Sequence, residues 1–212
     1  MSERIASDAT SPAHLLVVGS VAFDNVITPY GEKEHILGGA ASYCSFASSY
    51  FTETRMVGVI GNDFGEEFMD RLRSRGIDLE GLQRDESGPT FFWKGKYHEN
   101  FNRRDTLDLQ LNVFEKFRPD LPESYRVSPF VLLGNIHPAL QAHVLDQLSG
   151  ESFVLADTID LWIEIERENL LDLIKRVNLF VINDSEAEEL TGEKNIILAG
   201  HKLREMGPES VI

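Results

Sequence analysis

Apolar positions along the chain fall into short continuous runs separated by longer amphipathic stretches. Leu15, Leu16, Val17 and Val18 form an uninterrupted run closed by Gly19, the pattern of a strand buried on both faces at the centre of a sheet. Runs of the same kind recur at Met56 to Ile60, Phe130 to Leu133, Phe153 to Ala156 and Leu179 to Ile182, each followed by a segment of helical length. Asp63 is placed to cap a helix through Phe64, Phe68, Met69 and Leu72 that stops at Gly76. Pro138 opens another, carrying Leu140, Val144, Leu145 and Leu148 and ending at Gly150. This alternation predicts an α/β fold: a mainly parallel central sheet with helices on both faces, a three-layer sandwich.

Two stretches break the alternation. Asn25 to Leu37 and Thr90 to Tyr97 have strand-like patterns with turn residues, the second dense in aromatics, and are expected to pair as a small β lid (near 25–37 and 90–97). Residues 1–13 are polar, lack the apolar core of a signal peptide, and are read as a flexible tail ahead of an α/β domain over 14–212. Ser210, Val211 and Ile212 look like the start of one more buried strand, so the chain is expected to be the N-terminal portion of a longer fold whose C-terminal part is missing.

Composition narrows the function. The 212 residues suffice for one domain, and a net charge of −15 opposes a nucleic-acid or anionic-membrane partner unless basic residues are segregated. The densest basic stretch, Arg71, Arg73 and Arg75, reads as a solvated helix face. No window reaches the apolar length of a membrane span. A single cysteine, Cys44, excludes an intramolecular disulfide, fits a reducing cytoplasm, and reads as a small packed hydrophobe. His137 and His143 lie off the spacing of a helical metal pair and read as solvated or core histidines.

Open parallel sheets bind ligands beyond the carboxyl ends of their strands. There GSVAFDN places Asp24, a carboxylate able to accept hydrogen bonds from a polyol, with a turn-capping role as the competing explanation. Gly38 and Gly39 precede an apolar helix around Tyr43 to Tyr50 and either expose helix amides to a ligand or form a flexible loop. Neither a GxxxxGK[ST] loop nor a GxGxxG fingerprint is present. Asn183 and Glu186, directly after an apolar run, have the spacing of a helix capping box and equally that of an amide and a carboxylate organising hydrated Mg²⁺. Arg103, Arg104 and Asp105 either contact substrate and close the lid or form a surface loop.

Asp24, the Gly38–Gly39 turn, VGVIGNDFGEEFMDRLRSRGID from Val57 to Asp78 and NDSEAEELTG from Asn183 to Gly192 together resemble the PfkB, or ribokinase-like, carbohydrate kinases. The resemblance implies ATP-dependent transfer of phosphate to a hydroxyl of a sugar or nucleoside, with ATP and Mg²⁺ as cofactors. It implies no nucleic-acid or membrane partner and a homodimer formed through the lid. Asp24, Gly38, Gly39, Tyr43 and Asp157 are then the substrate-binding candidates, while Asn183 and Glu186 organise Mg²⁺ and the phosphates without ligating the metal directly. Tyr43 stands where many members carry an asparagine, and a phenol cannot supply an amide to a sugar hydroxyl. The family's GAGD segment, with its catalytic aspartate, is expected beyond residue 212, so the chain alone is expected to be inactive. A non-catalytic sugar-binding or regulatory protein of the same fold is the alternative.

Overall fold

The computed structural model describes residues 14–101 and 103–212; the expected tail over 1–13 lies outside them. Seven strands form a parallel sheet: β1 (His14–Val18), β4 (Glu53–Ile60), β5 (Asp78–Arg84), β8 (Phe130–Leu133), β9 (Phe153–Asp157), β10 (Leu179–Val181) and β11 (Ser210–Val211), in the order β11-β10-β9-β8-β1-β4-β5. β1 lies between β8 and β4, and Leu16, Val17 and Val18 are fully buried.

Successive residues of β1 feed different cores, because side chains alternate between the faces of a strand. Leu16 and Val18 join a core with Val144 of α3 (Pro138–Gln147), Leu170 and Leu173 of α5 (Arg167–Ile174), Leu190 of α6 (Asp184–Thr191) and Leu203 of α7 (Ile196–Glu205). Val17 joins a second core with Ala41 of α1 (Ala40–Ser48) and Leu72 of α2 (Glu66–Arg73). Each such side chain contributes roughly 1.5–3 kcal/mol by leaving water, and the two cores hold helices to both faces of the sheet. A short helix, α4 (Asp160–Ile165), follows β9.

A second, four-stranded sheet projects from the first: β2 (Ala22–Thr28), β3 (Gly31–Gly38), β6 (Phe91–Tyr97) and β7 (Arg104–Gln110), ordered β3-β2-β6-β7. β2 and β6 pair in parallel, and antiparallel partners flank them. This is the expected lid with one addition. Arg104 and Asp105 open strand β7 rather than a surface loop; Leu107 and Leu109 alternate with Thr106, Asp108 and Gln110 as in a strand, although every residue of it is exposed.

Asp63 does not cap α2. The N-cap is Gly65, without a side-chain bond, and Asp63 Oδ1 instead accepts from Thr90 N–H (2.7 Å) and Thr90 Oγ1 (2.6 Å). Thr90 Oγ1 in turn accepts from Gly61 N–H (2.9 Å), so a buried threonine ties the turn after β4 to the root of lid strand β6. On α2, Arg73 pairs with Glu66 and Asp70, while the Arg75 guanidinium lies 3.7 Å from the Tyr50 ring centroid. Arg71 lies 5.6 Å from the Phe46 ring centroid, so all three arginines have partners within the fold.

Candidate active site

A cleft of about 1340 Å³ opens between the lid and the carboxyl ends of the parallel strands. Its first wall grows from the loop after β1. Ser20 Oγ accepts from Ala40 N–H (3.1 Å) and the Ser20 carbonyl from Ala41 N–H (2.9 Å). Two leading amides of α1 are thereby spent on the protein's own backbone and side chain, so they do not stand free for a ligand. The glycines have a different reason. Gly39 caps α1 at φ 90°, a left-handed conformation, where any Cβ would run into the Ser20 carbonyl. At Gly38 a Cβ would occupy the space of the Asp24 carboxylate, so the absence of a side chain on β3 makes room for the acid on β2.

Asp24, Gly39 and Tyr43 line the cleft, whereas Gly38 packs beneath the Asp24 side chain. Burial pushes the Asp24 carboxyl up to about 6. Burial, followed by the neighbouring Asp24 and Tyr97, likewise raises the Tyr43 phenol. The helix thus presents a phenol toward the lid's acid, where an amide was expected from the family pattern.

The second wall is the start of α6. Asn183 is its N-cap: Oδ1 accepts from Glu186 N–H (2.9 Å) and Ser185 Oγ (2.8 Å), while Glu186 Oε2 accepts from Asn183 N–H (3.1 Å). The capping box is therefore complete, and both residues also line the cleft. Burial raises the Glu186 carboxyl, aided by Asp160 and opposed by the Asn183 bonds and by Arg104 reaching over from the lid.

Asp157 stands apart from this set. It ends β9, but the cleft surface beyond that strand is formed by Ile159 and Asp160. Its Oδ1 is buried with no hydrogen-bond partner among the described residues, and burial, then the charge of Glu186, pushes the carboxyl up to about 7. The Asp157 carbonyl accepts from the buried Gln141 amide (3.2 Å), which also bonds the Leu133 and Gly134 carbonyls.

No protein-family model matches the chain. A curated cytidine kinase of Thermococcus kodakarensis is 29% identical over 205 residues, which covers 93% of this chain and 71% of that protein. The Methanocaldococcus jannaschii nucleoside kinase, an archaeal member of the ribokinase family, superposes with a TM-score of 0.70 at 16% identity, covering 93% of this chain and 69% of its own. Arabidopsis thaliana ribokinase, solved with ribose and ATP, gives 0.72 at 17% identity, with coverage of 95% and 71%. The fold is ribokinase-like. Asp24, Gly39, Asn183 and Glu186 line its crevice, whereas no residue of the Val57–Asp78 motif does.

Several cleft residues of this ribokinase-like chain escaped the sequence reading. From the lid come Trp93 and Tyr97; from the core, Asn135, His137 and Trp162; Arg103 and Arg104, which the sequence did single out, line the cleft as well. His137 is neither merely solvated nor core: it is the N-cap of α3, with Nδ1 accepting from Ala139 N–H (3.1 Å) and Nε2 lying 3.3 Å from Glu166 Oε1. Asn135 and His137 directly follow β8, so the rule that pointed to Asp24 applied equally to them. His143 lies near Arg118 and Asp120, and Cys44 packs with the second core. Among the described residues no helix is long and apolar enough to cross a membrane.

Proposed function

We propose that the chain carries the substrate half of an ATP-dependent kinase acting on a sugar or nucleoside hydroxyl. The observation that carries this reading is one continuous cleft holding a neutral-hydroxyl acceptor at the lid, Asp24, and the Asn183–Glu186 pair at the core. Asp24 accepts hydroxyl hydrogen bonds, and Gly39 and Tyr43 form the wall beside it. Asp157, beneath the surface, sets the charge of the floor.

Magnesium and ATP fit the residues present in a particular way. Among the described residues no three His, Cys, Asp or Glu side chains converge, so the protein alone offers no cage. A carboxylate already half-engaged by a cap suits an ion that keeps most of its waters and travels with a polyphosphate. Bound there, the ion would neutralise charge on the phosphates; Glu186 and Asn183 orient its waters. The base that takes the hydroxyl proton lies outside residues 1–212, and two copies pair through the lid.

Calorimetric titration of the 212-residue chain with sugars and nucleosides tests the reading, beside a coupled assay with Mg²⁺ and ATP. Expected are saturable binding, its loss in Asp24→Ala, and no turnover approaching the ~1–100 s⁻¹ of kinases. Turnover in that range would put the base within these residues, and absence of any binding would end the kinase reading.

A further inference from the structure

The cleft is dressed for more than hydroxyl groups. Trp162 on α4 and Trp93 on β6 both line it, and each indole has its single polar group committed to the protein. Trp162 Nε1 donates to Asn135 Oδ1 (2.8 Å), and Trp93 Nε1 donates to Thr106 Oγ1 (3.1 Å). Trp162 is braced a second time by the His137 ring, whose centroid lies 5.1 Å away. His137 is itself fixed by Ala139 N–H on one ring nitrogen and Glu166 on the other.

An indole held at its nitrogen and buttressed at its ring is a fixed apolar wall with no hydrogen bond left to give. Leu140 and Ile159 line the same cleft and add apolar surface, backed by the buried Ile136. A free pentose, ringed with hydroxyls, would leave such a surface without partners and forfeit hydration of its own groups. A planar heterocycle gains by stacking there, and its polar edge finds the NH₂ group of Asn135, whose oxygen is already taken by Trp162.

Building on the kinase reading above, we infer that the substrate is a nucleoside, its sugar at Asp24 and its base against the Trp162 wall. Trp162 and Asn135 are the specificity-determining residues, and Trp93 meets the same ligand from the lid. The adenine of ATP has the same stacking chemistry, and the test separates the two.

The experiment is calorimetric titration of the whole chain and of Trp162→Ala, Trp162→Phe and Asp24→Ala with D-ribose, cytidine, adenosine and Mg²⁺-ATP. The expected result is that nucleosides bind at least tenfold more tightly than ribose. Trp162→Ala should erode that advantage roughly tenfold to a hundredfold, as loss of one base-stacking aromatic does. The same variant should leave ribose and Mg²⁺-ATP affinities unchanged, which also certifies its fold, and Trp162→Phe should retain most of the advantage. Equal affinity for ribose and nucleosides overturns this inference alone, as does a Trp162→Ala effect confined to Mg²⁺-ATP or shared equally by ribose. Failure of every sugar and nucleoside to bind overturns the kinase reading and this inference together.

Discussion

Asp157 is only partly buried, but one of its carboxyl oxygens is shut away from solvent. Its Oδ1 has no partner among the described residues, and its carboxyl is raised from the ordinary 3.8 to about 7, chiefly by burial. The folded chain therefore holds this proton more tightly than the unfolded chain does, and the linked contribution to stability is complete below about pH 4 and lost as the pH rises toward 7. Asp24, raised to about 6, acts in the same direction over a narrower window. Asp157→Asn cannot ionise, and removing a buried, incompletely bonded charge should stabilise the protein at pH 8 by about 1–3 kcal/mol. Denaturant melts of variant and parent at pH 8 and pH 4 check this; a gain that persists unchanged at pH 4 would show that ionisation is not its source.

At the scale of elements, α6 carries two demands on the same two side chains. Asn183→Ala removes the oxygen that accepts from Glu186 N–H and Ser185 Oγ, and should cost about 1 kcal/mol of stability. Glu186→Gln keeps an oxygen for Asn183 N–H, so its stability should stay within about 0.5 kcal/mol of the parent. If the carboxylate also serves the cation, the same variant should lose the magnesium dependence of ATP binding, measured by titration with and without the metal. Unchanged magnesium dependence, at whatever stability, would leave Glu186 only its capping role. Elements of this kind were legible in the sequence because their signals are local: the box spans a few residues, and β1 is a run of apolar side chains buried on both faces. Signals that depend on distant partners were not. Asp63 has the spacing of a helix cap, but Thr90, 27 residues on at the root of lid strand β6, claims its oxygen. β7 was missed for another reason: Leu107 and Leu109 alternate with Thr106, Asp108 and Gln110 in a strand rhythm, but the stretch is short and every residue of it is exposed. Trp162 acquires meaning only when the fold brings Asn135 and His137 to it.

For the whole molecule, the lid is the part whose surface remains unfinished. Tyr30 is 87% exposed and stacks on Phe101, with Leu107 of the edge strand also in solvent. Exposed apolar groups beside an unpaired strand edge favour association. Sedimentation of the chain should show a dimer that the double substitution Tyr30→Ser and Leu107→Lys shifts at least tenfold toward monomer; unchanged association would place the contact elsewhere. The core's layering was readable from the alternation of runs and helices, whereas the aromatic lining of the cleft emerges only from assembly. That lining has an optical consequence. The chain contains two tryptophans, and both face the cleft, one carried by the lid and one by the core. Indole emission from the entire polypeptide therefore originates where a ligand arrives, so the protein's own fluorescence is a gauge of that one place, without a dye or an engineered label.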